Sequence, residues 1–144
     1  MRKFFSLLGY AVLSAIVATS ALAEDTELGE ALSIELNAVE TREGSCLLSF
    51  LVINGHPQPI EKAVFETVLF DTDGQVAQLT LFDYGQIPPA RPRIRQFMVS
   101  GLACDAVGSV LINGVNTCDA PGLEPDACES GLVLSSRTDI EVMG

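Results

Sequence analysis

Residues 62–82, KAVFETVLFDTDGQVAQLTLF, decide the fold of this chain. Residues 62–70 are a short apolar run rich in β-branched and aromatic side chains, which favour strands. Asp71-Thr72-Asp73-Gly74 then supplies the residue types of a tight turn. Residues 75–82 return as the second strand of a β-hairpin. The stretch therefore predicts two antiparallel strands joined by a short turn.

The rest of the chain repeats this pattern of short strands separated by turn signals. Residues 31–40 alternate, with Leu32, Ile34, Leu36 and Ala38 on one face, and residues 45–53 are almost continuously apolar, as in a central strand covered on both sides. Further strands are expected at residues 93–102, 109–112 and 132–143. The pair Asn113-Gly114 either closes a hairpin with residues 115–118 or ends a strand.

One local signal favours a helix. Pro125 and its acidic neighbours stand where a helix would start, and Gly131 stands where it would stop. We therefore expect a short helix near residues 125–130. Seven or eight strands at regular spacing together predict an all-β fold, an immunoglobulin-like antiparallel β-sandwich. A small closed barrel is the alternative fold.

The first 23 residues have the pattern of a secretory signal peptide. Arg2 and Lys3 form a basic start, an apolar run follows over residues 4–18, and Ala21-Leu22-Ala23 matches the cleavage pattern of a signal peptidase. The apolar run is short for a membrane span, although an uncleaved anchor is the alternative. Glu24 stands where a lipoprotein would have Cys, which argues against a lipid anchor. We therefore expect residues 24–144 to be soluble in the periplasm, without stable membrane insertion, and their length is that of a single domain.

Composition excludes several classes of function. The chain has 144 residues, about one ordinary domain, and its formal net charge is −11. Without Arg2 and Lys3, six basic residues face nineteen acidic ones, so the net charge becomes −13. Such a charge argues against binding to nucleic acid or to anionic lipid.

Four cysteines, Cys46, Cys104, Cys118 and Cys128, predict two disulfides in an exported protein. If successive strands alternate in direction, Cys46 and Cys104 lie at the same end of the sandwich, on strands that are neighbours in an immunoglobulin-like sheet. We therefore expect the pairs Cys46–Cys104 and Cys118–Cys128. A true hairpin at Asn113-Gly114 would move Cys118 to the other end and make the other pairings competitive. The spacings match no zinc motif.

Few residues suggest a reaction centre. His56, the single histidine, lies in a turn beside two prolines, where it is expected to be a solvated loop residue rather than a catalytic base. Asp71 and Asp73 resemble the start of a calcium loop, but the later ligands of an EF-hand are missing, so a hairpin turn is the expected role. We therefore expect no enzyme activity, no cofactor and no metal site.

Arg91, Arg93 and Arg95 form the least ordinary surface feature. They are half of the positive residues outside the signal peptide, and alternate side chains of a strand point the same way. Guanidinium groups suit carboxylates and are enriched at protein interfaces. These three residues are therefore a candidate partner-binding site. In the alternative interpretation they pair with carboxylates of this chain and prevent edge-to-edge aggregation.

Residues 65–76, FETVLFDTDGQV, resemble the central strand–turn–strand of FxLYD-type immunoglobulin-like domains. More broadly, the stretches VLFDTDGQVAQLTLFDYG, RPRIRQF and SSRTDIEVMG after a signal peptide resemble a family of uncharacterised exported alphaproteobacterial proteins. The resemblance implies export and a β fold, and it implies no catalytic residues.

These observations lead to two functional hypotheses. The first is a non-enzymatic periplasmic β-sandwich that mediates protein–protein interaction, for instance as an accessory subunit of an envelope complex. The second is a module that binds a divalent metal through Asp71 and Asp73, or a small molecule in a cleft between the sheets.

Overall fold

The computed structural model describes residues 28–144, so the signal peptide predicted over residues 1–23 lies outside the described residues. Eight strands account for most of the described chain. They are β1 (Leu32–Arg42), β2 (Ser45–Asn54), β3 (Ile60–Asp71), β4 (Val76–Ile87), β5 (Arg93–Val99), β6 (Val107–Asp119), β7 (Val133–Ser136) and β8 (Glu141–Met143). In this part of the chain there is no helix long and apolar enough to cross a membrane.

The strands form two four-stranded sheets that pack face to face. The order in the first sheet is β5-β2-β1-β7, and in the second sheet it is β4-β3-β6-β8. The second and fifth strands are neighbours in one sheet, and the third and sixth are neighbours in the other, as in an immunoglobulin-like sandwich. The predicted fold class is confirmed. Two pairings, β1 with β7 and β6 with β8, are parallel, and the others are antiparallel.

The end of the chain differs from the prediction, because residues 132–143 form two strands rather than one. The Oγ of Ser136 accepts the N–H of Thr138, and the Oγ1 of Thr138 accepts the N–H of Ile140, each at 3.1 Å. Side-chain oxygens of this kind stabilise turns at the expense of the strand ladder. As a result, β7 lies in the first sheet and β8 in the second.

The segment at Asn113-Gly114 is not a hairpin. Both residues lie inside β6, where the register against β3 shifts between Gly114 and Ile112. An extra residue in one strand is a β-bulge, which increases the local twist without reversing the chain. Cys118 therefore stays at the end of the sandwich that the predicted pairing requires.

The short helix predicted near residues 125–130 is wrong, because this segment is a series of turns. The N–H of Ala127 bonds to the carbonyl of Glu124, and the N–H of Glu129 bonds to that of Asp126, each at 3.0 Å. The N–H of Ser130 makes a single α-helical bond, to the carbonyl of Asp126 at 2.8 Å, and Gly131, with a φ of 66°, ends the segment. The Ala127 carbonyl lies 2.8 Å from the Nε2 of His56. The only helical element in the described chain is a 3-10 turn, Cys104–Ala106.

Aromatic side chains from both sheets meet at the centre of the sandwich. Phe82 of β4 stacks on Phe97 of β5, with ring centroids 4.1 Å apart and planes 2° from parallel. Tyr84 is fully buried, and it lies edge-on to Phe50 and Phe65. Aromatic pairs in such arrangements contribute beyond the area that they bury, so this cluster fixes how the two sheets pack.

Two disulfides brace opposite ends of the sandwich. Cys46–Cys104 joins the start of β2 to the segment after β5, and Cys118–Cys128 closes the loop after β6. These are the pairs expected from the strand order. Disulfides of this kind persist in oxidising compartments.

Candidate functional site

Three loops meet at one end of the sandwich, which we call the upper end: residues 55–59, residues 88–92 and residues 120–132. The first loop contains His56 and the second contains Arg91. The third contains the turns around Pro125. The fold therefore places two of the residues that the sequence singled out at the same end of the sandwich, in loops that each connect the two sheets.

Buried Asn54 ties the first two loops together. Its Nδ2 donates to the carbonyls of Gln58 (2.9 Å) and Ile87 (3.0 Å), and its Oδ1 accepts the N–H of His56 at 2.9 Å. The backbone carbonyl of Asn54 also accepts the N–H of Ala90 at 2.8 Å. Because buried polar groups without partners are costly, these bonds hold the two loops in one arrangement. An Asn-Gly pair is an ordinary turn signal, so the local sequence does not indicate this role of Asn54.

His56 is not the solvated loop residue that the sequence predicted. It is only 8% exposed, and its Nε2 lies 2.8 Å from the carbonyl oxygen of Ala127. In this contact Nε2 carries the proton and donates, because a carbonyl oxygen can only accept. A catalytic base needs a proton-bearing nucleophile within hydrogen-bond reach. The bonded partner here is a main-chain carbonyl, so His56 links the first loop to the third.

A cleft of about 370 Å³ opens beside His56 between the first and third loops. Its walls carry the carboxylates of Glu30, Glu124 and Asp126 and the hydroxyl of Ser130. Within residues 28–144, no three His, Cys, Asp or Glu side chains are placed to hold a metal ion. The cleft is therefore an acidic recess with no ligand set for a metal among the described side chains.

Arg93 and Arg95 share one face of β5, as strand alternation predicts. They stand at alternate positions with Phe97 and buried Val99, which is the face that β5 turns toward the second sheet. Arg91 lies in the loop before the strand and is exposed. The three arginines therefore do not form a single outward stripe, and the structure gives them different environments.

Arg95 joins the two sheets. Its Nε donates to the carbonyl of Tyr84 at 2.6 Å, and its second terminal nitrogen donates to the carbonyl of Gln86 at 2.8 Å. Both carbonyls belong to β4, the edge strand of the second sheet, whereas Arg95 belongs to the edge strand of the first. Charged hydrogen bonds of this kind are among the stronger ones. Arg95 is thus largely a structural residue.

Arg91 and Arg93 have few contacts. Arg93 donates one hydrogen bond, to the adjacent carbonyl of Pro92 at 3.1 Å. The ion pairs found in residues 28–144 are Arg42–Glu40, Lys62–Asp83 and Arg137–Glu35. The alternative interpretation, in which the three arginines pair with carboxylates of this chain, therefore has no support in the described structure. Arg91 and Arg93 leave most of their donors available at the upper end.

The Asp71–Gly74 turn has the geometry of a hairpin turn. The Oδ1 of Asp71 accepts the N–H of Asp73 (3.0 Å) and the N–H of Gln75 (2.9 Å). Gly74 adopts a φ of 79°, in the left-handed region where a side chain would be strained. The bonds of Asp71 thus serve the backbone of the turn, which was the expected role.

A second cleft, of about 410 Å³, lies between the two sheets near the end of the chain. Phe65, Ile112, Val115, Leu132 and Leu134 form an apolar wall, and Asn113 and Glu129 add polar groups. The cleft opens at the end of β8, beyond which the upper half of β6 has no neighbouring strand on that side. Its volume is in the range of small-molecule clefts.

Comparisons with known proteins add a fold relationship and no family. No family model matches the chain, and no curated protein matches it. Among solved structures, IrmA from Escherichia coli superposes with a TM-score of 0.53 at 12% sequence identity. The match covers 72% of this chain and 90% of IrmA. The resemblance to FxLYD-type domains stays a prediction. At this identity the likeness concerns the fold alone, so the chain is similar to IrmA in its overall architecture.

Proposed function

We propose that this protein is a non-enzymatic β-sandwich, exported to the periplasm, that binds another protein through Arg91 and Arg93 at the upper end. An accessory subunit of an envelope complex would have this role. The observation that supports the proposal most directly is that the two guanidinium groups form no ion pair within the described chain. In a chain with a net charge of −11, neither has a carboxylate partner among the described residues.

The loop that holds Arg91 is suited to binding because it is already fixed. Asn54 holds this loop through Ile87 and Ala90, and Pro88, Pro89 and Pro92 restrict its backbone. A loop ordered before binding loses less conformational entropy when a partner arrives. Arginine forks on such a loop match carboxylates in geometry and charge, so the expected partner presents an acidic surface.

Several features support a binding role over catalysis. The Nε2–H of His56 donates a hydrogen bond to the Ala127 carbonyl. The two disulfides and the aromatic core make the sandwich a rigid support for its loops. The disulfides also suit an oxidising compartment such as the periplasm.

The test is affinity capture from periplasm and solubilised membranes with tagged protein produced by export. Wild type is compared with the double variant Arg91→Glu/Arg93→Glu, and Arg42→Glu serves as the matched control. Arg42 is exposed and lies at the opposite end of β1, where it pairs with Glu40. We expect one partner to be retained by wild type and by the control, lost from the double variant, and released by high salt.

Two results would refute the proposal. One is that wild type retains nothing above background. The other is that the double variant retains the same partner as strongly as wild type does. Arg95 is left unchanged in this experiment, because its bonds to β4 make its replacement a test of folding rather than of binding.

A second candidate function is binding of a small apolar molecule in the cleft beside β8. Phe65, Ile112 and Leu134 form an apolar wall there, and about 410 Å³ is enough for a compact ligand. A ligand that binds only the folded state raises the unfolding midpoint. A panel of small apolar compounds should therefore contain some that raise it, and failure of the whole panel would exclude this candidate.

A further inference from the structure

β4 has an open edge without protection along part of its length. Two other strands also lack a neighbour on one side over part of their length, but register shifts interrupt the upper half of β6, and the lower half of β1 carries the charged residues Glu40 and Arg42. The other edge strands are β5, β7 and β8. The last two have only four and three residues, and short edges resist pairing. β5 turns Arg93 and Arg95 inward, and inward charges on an edge strand also oppose pairing.

Part of β4 is also protected, by Arg95. The guanidinium occupies the carbonyls of Tyr84 and Gln86 on the free side of the strand. The register shifts just below these residues, between Gly85 and Asp83, and again between Gln78 and Val76. Between the two shifts, residues 78–83 run in unbroken register against β3. Among the described residues, no side chain donates a hydrogen bond to the backbone carbonyls of this segment.

The unprotected segment is apolar on the outside. Leu79 is 57% exposed and Leu81 is 51% exposed, and Val76 at its lower end is 64% exposed. No residue from Val76 to Phe82 is charged, in a chain with nineteen acidic residues. An exposed edge with apolar side chains is a template for pairing with another strand.

From these features we propose that two copies of this chain associate by antiparallel pairing of their β4 edges about a two-fold axis at Thr80. Residues that face each other across a strand pair share a face of the sheet, so a symmetric pair must be centred on a residue. Thr80 and Leu81 are the two central residues of the uninterrupted segment, and an axis at Leu81 would place Leu79 opposite the charged Asp83, so Thr80 is the favoured centre. Leu79 then lies opposite Leu81 of the second copy, which places apolar side chains in cross-strand pairs.

Charge complementarity selects a second copy as the occupant. In this register, Gln86 of one copy lies opposite Gly74 of the other. Arg95, which binds the carbonyl of Gln86, then stands near Asp73 of the second copy. A guanidinium group has five N–H donors, and Arg95 uses three, on Tyr84, Gln86 and Ile94. The exposed carboxylate of Asp73 accepts no hydrogen bond among the described residues.

The same register keeps like charges apart. Asp83, the nearest acidic residue on β4, is three positions from Thr80. Its two copies are therefore roughly 20 Å apart at about 3.3 Å per residue, more than twice the screening length of about 8 Å in physiological salt. One strand pair buries less surface than a permanent dimer needs. The association is therefore weak and depends on protein concentration. It is independent of partner binding through Arg91 and Arg93.

The test is sedimentation equilibrium on the exported protein with both disulfides formed. We expect a reversible dimer in wild type, and a dissociation constant at least about tenfold higher in Leu79→Lys/Leu81→Lys, because like charges then face each other. The matched control is Ile94→Lys/Met98→Lys, on the outer face of the first sheet, where exposure is similar at 51% and 47%. Asp73→Lys should also weaken the dimer, whereas Asp139→Lys, an equal charge change at another exposed site, should not.

A cysteine at the axis tests the register directly. Thr80→Cys should form a disulfide-linked dimer under mild oxidation, whereas Gln96→Cys on β5 should not. A wild type that stays monomeric at millimolar concentration would overturn the proposal, as would a dimer unaffected by Leu79→Lys/Leu81→Lys. Dissociation of the dimer by the control variant Ile94→Lys/Met98→Lys would place the interface on the first sheet and would also overturn the proposal. The same holds if the β4 edge pairs only with an added extended peptide and not with a second copy.

Discussion

Replacing Tyr84 with Phe should make this protein more stable, although the residue is fully buried. The ring packs between Phe50, Phe65 and Phe97, and phenylalanine keeps all of these contacts. The hydroxyl, in contrast, has no hydrogen-bond partner among the described residues. Removing it therefore loses no hydrogen bond and relieves a desolvated polar group.

The size of the effect follows from the cost of that group. A buried hydroxyl without a partner costs about 1–3 kcal/mol, and the space left by one oxygen atom returns part of this. We expect Tyr84→Phe to raise the free energy of unfolding by about 1 kcal/mol. For a domain of this size this corresponds to an increase in the unfolding midpoint of about 4 °C.

Alkaline pH gives a second readout with a definite sign. Burial raises the pKa of the Tyr84 phenol far above its ordinary value, because the charged phenolate is disfavoured in the core. Below about pH 10 the phenol is neutral in both states. Above it the unfolded phenol ionises while the folded one does not, so stability falls by about 1.4 kcal/mol per pH unit. Tyr84→Phe should lack this loss.

Chemical unfolding at several pH values, together with near-ultraviolet absorbance of the phenolate, provides the assay. Outside the predicted signal peptide, Tyr84 is the one tyrosine and there is no tryptophan, so the phenolate signal has a single source. We expect the phenolate to appear only as the protein unfolds. A midpoint lowered by several degrees in Tyr84→Phe, or ionisation of folded wild type near pH 10, would refute the reasoning.

Two further changes test the loops and turns. Asn54→Ala should cost about 3 kcal/mol in chemical unfolding, because the His56 N–H and the Gln58 and Ile87 carbonyls lose a partner. Asn37→Ala, which removes one exposed bond to Glu35, should cost less than about 0.5 kcal/mol, and equal losses would contradict the role given to Asn54. Asp71→Ala should lower stability in thermal unfolding by about 1 kcal/mol, because two backbone bonds to its carboxylate disappear. Asp73→Ala should be neutral in the same assay, and the reverse order would contradict the turn geometry.

The sequence was sufficient for the features that depend on local pattern. Alternation in residues 31–40 and the turn residues at Asp71–Gly74 predicted strands and a hairpin that the structure contains. Strand direction then paired Cys46 with Cys104. These inferences succeed because a half-buried strand and a tight turn each impose their own residue types.

The features that the sequence missed depend on contacts between distant segments. The segment near residues 125–130 forms turns rather than a helix, and its Ala127 carbonyl is bound by His56, which is far away in the chain. The last strand divides because side-chain oxygens at Ser136 and Thr138 end one ladder and lead into the other sheet. The sequence predicted that Arg91, Arg93 and Arg95 share one outward surface, whereas Arg93 and Arg95 lie on the inward face of β5. Strand periodicity shows which residues share a face, but it does not show which face of an edge strand points inward.

The pairing of β1 with β7 has a consequence for how the chain matures. β1 runs parallel to a strand that begins about a hundred residues later in the chain, at Val133. Closing this parallel pair requires residues 33–36 to meet residues 133–136 across about a hundred intervening residues, and pairings of such high contact order form slowly. We therefore expect the β1–β7 ladder to be among the last parts of the first sheet to form, after the local pairing of β1 with β2.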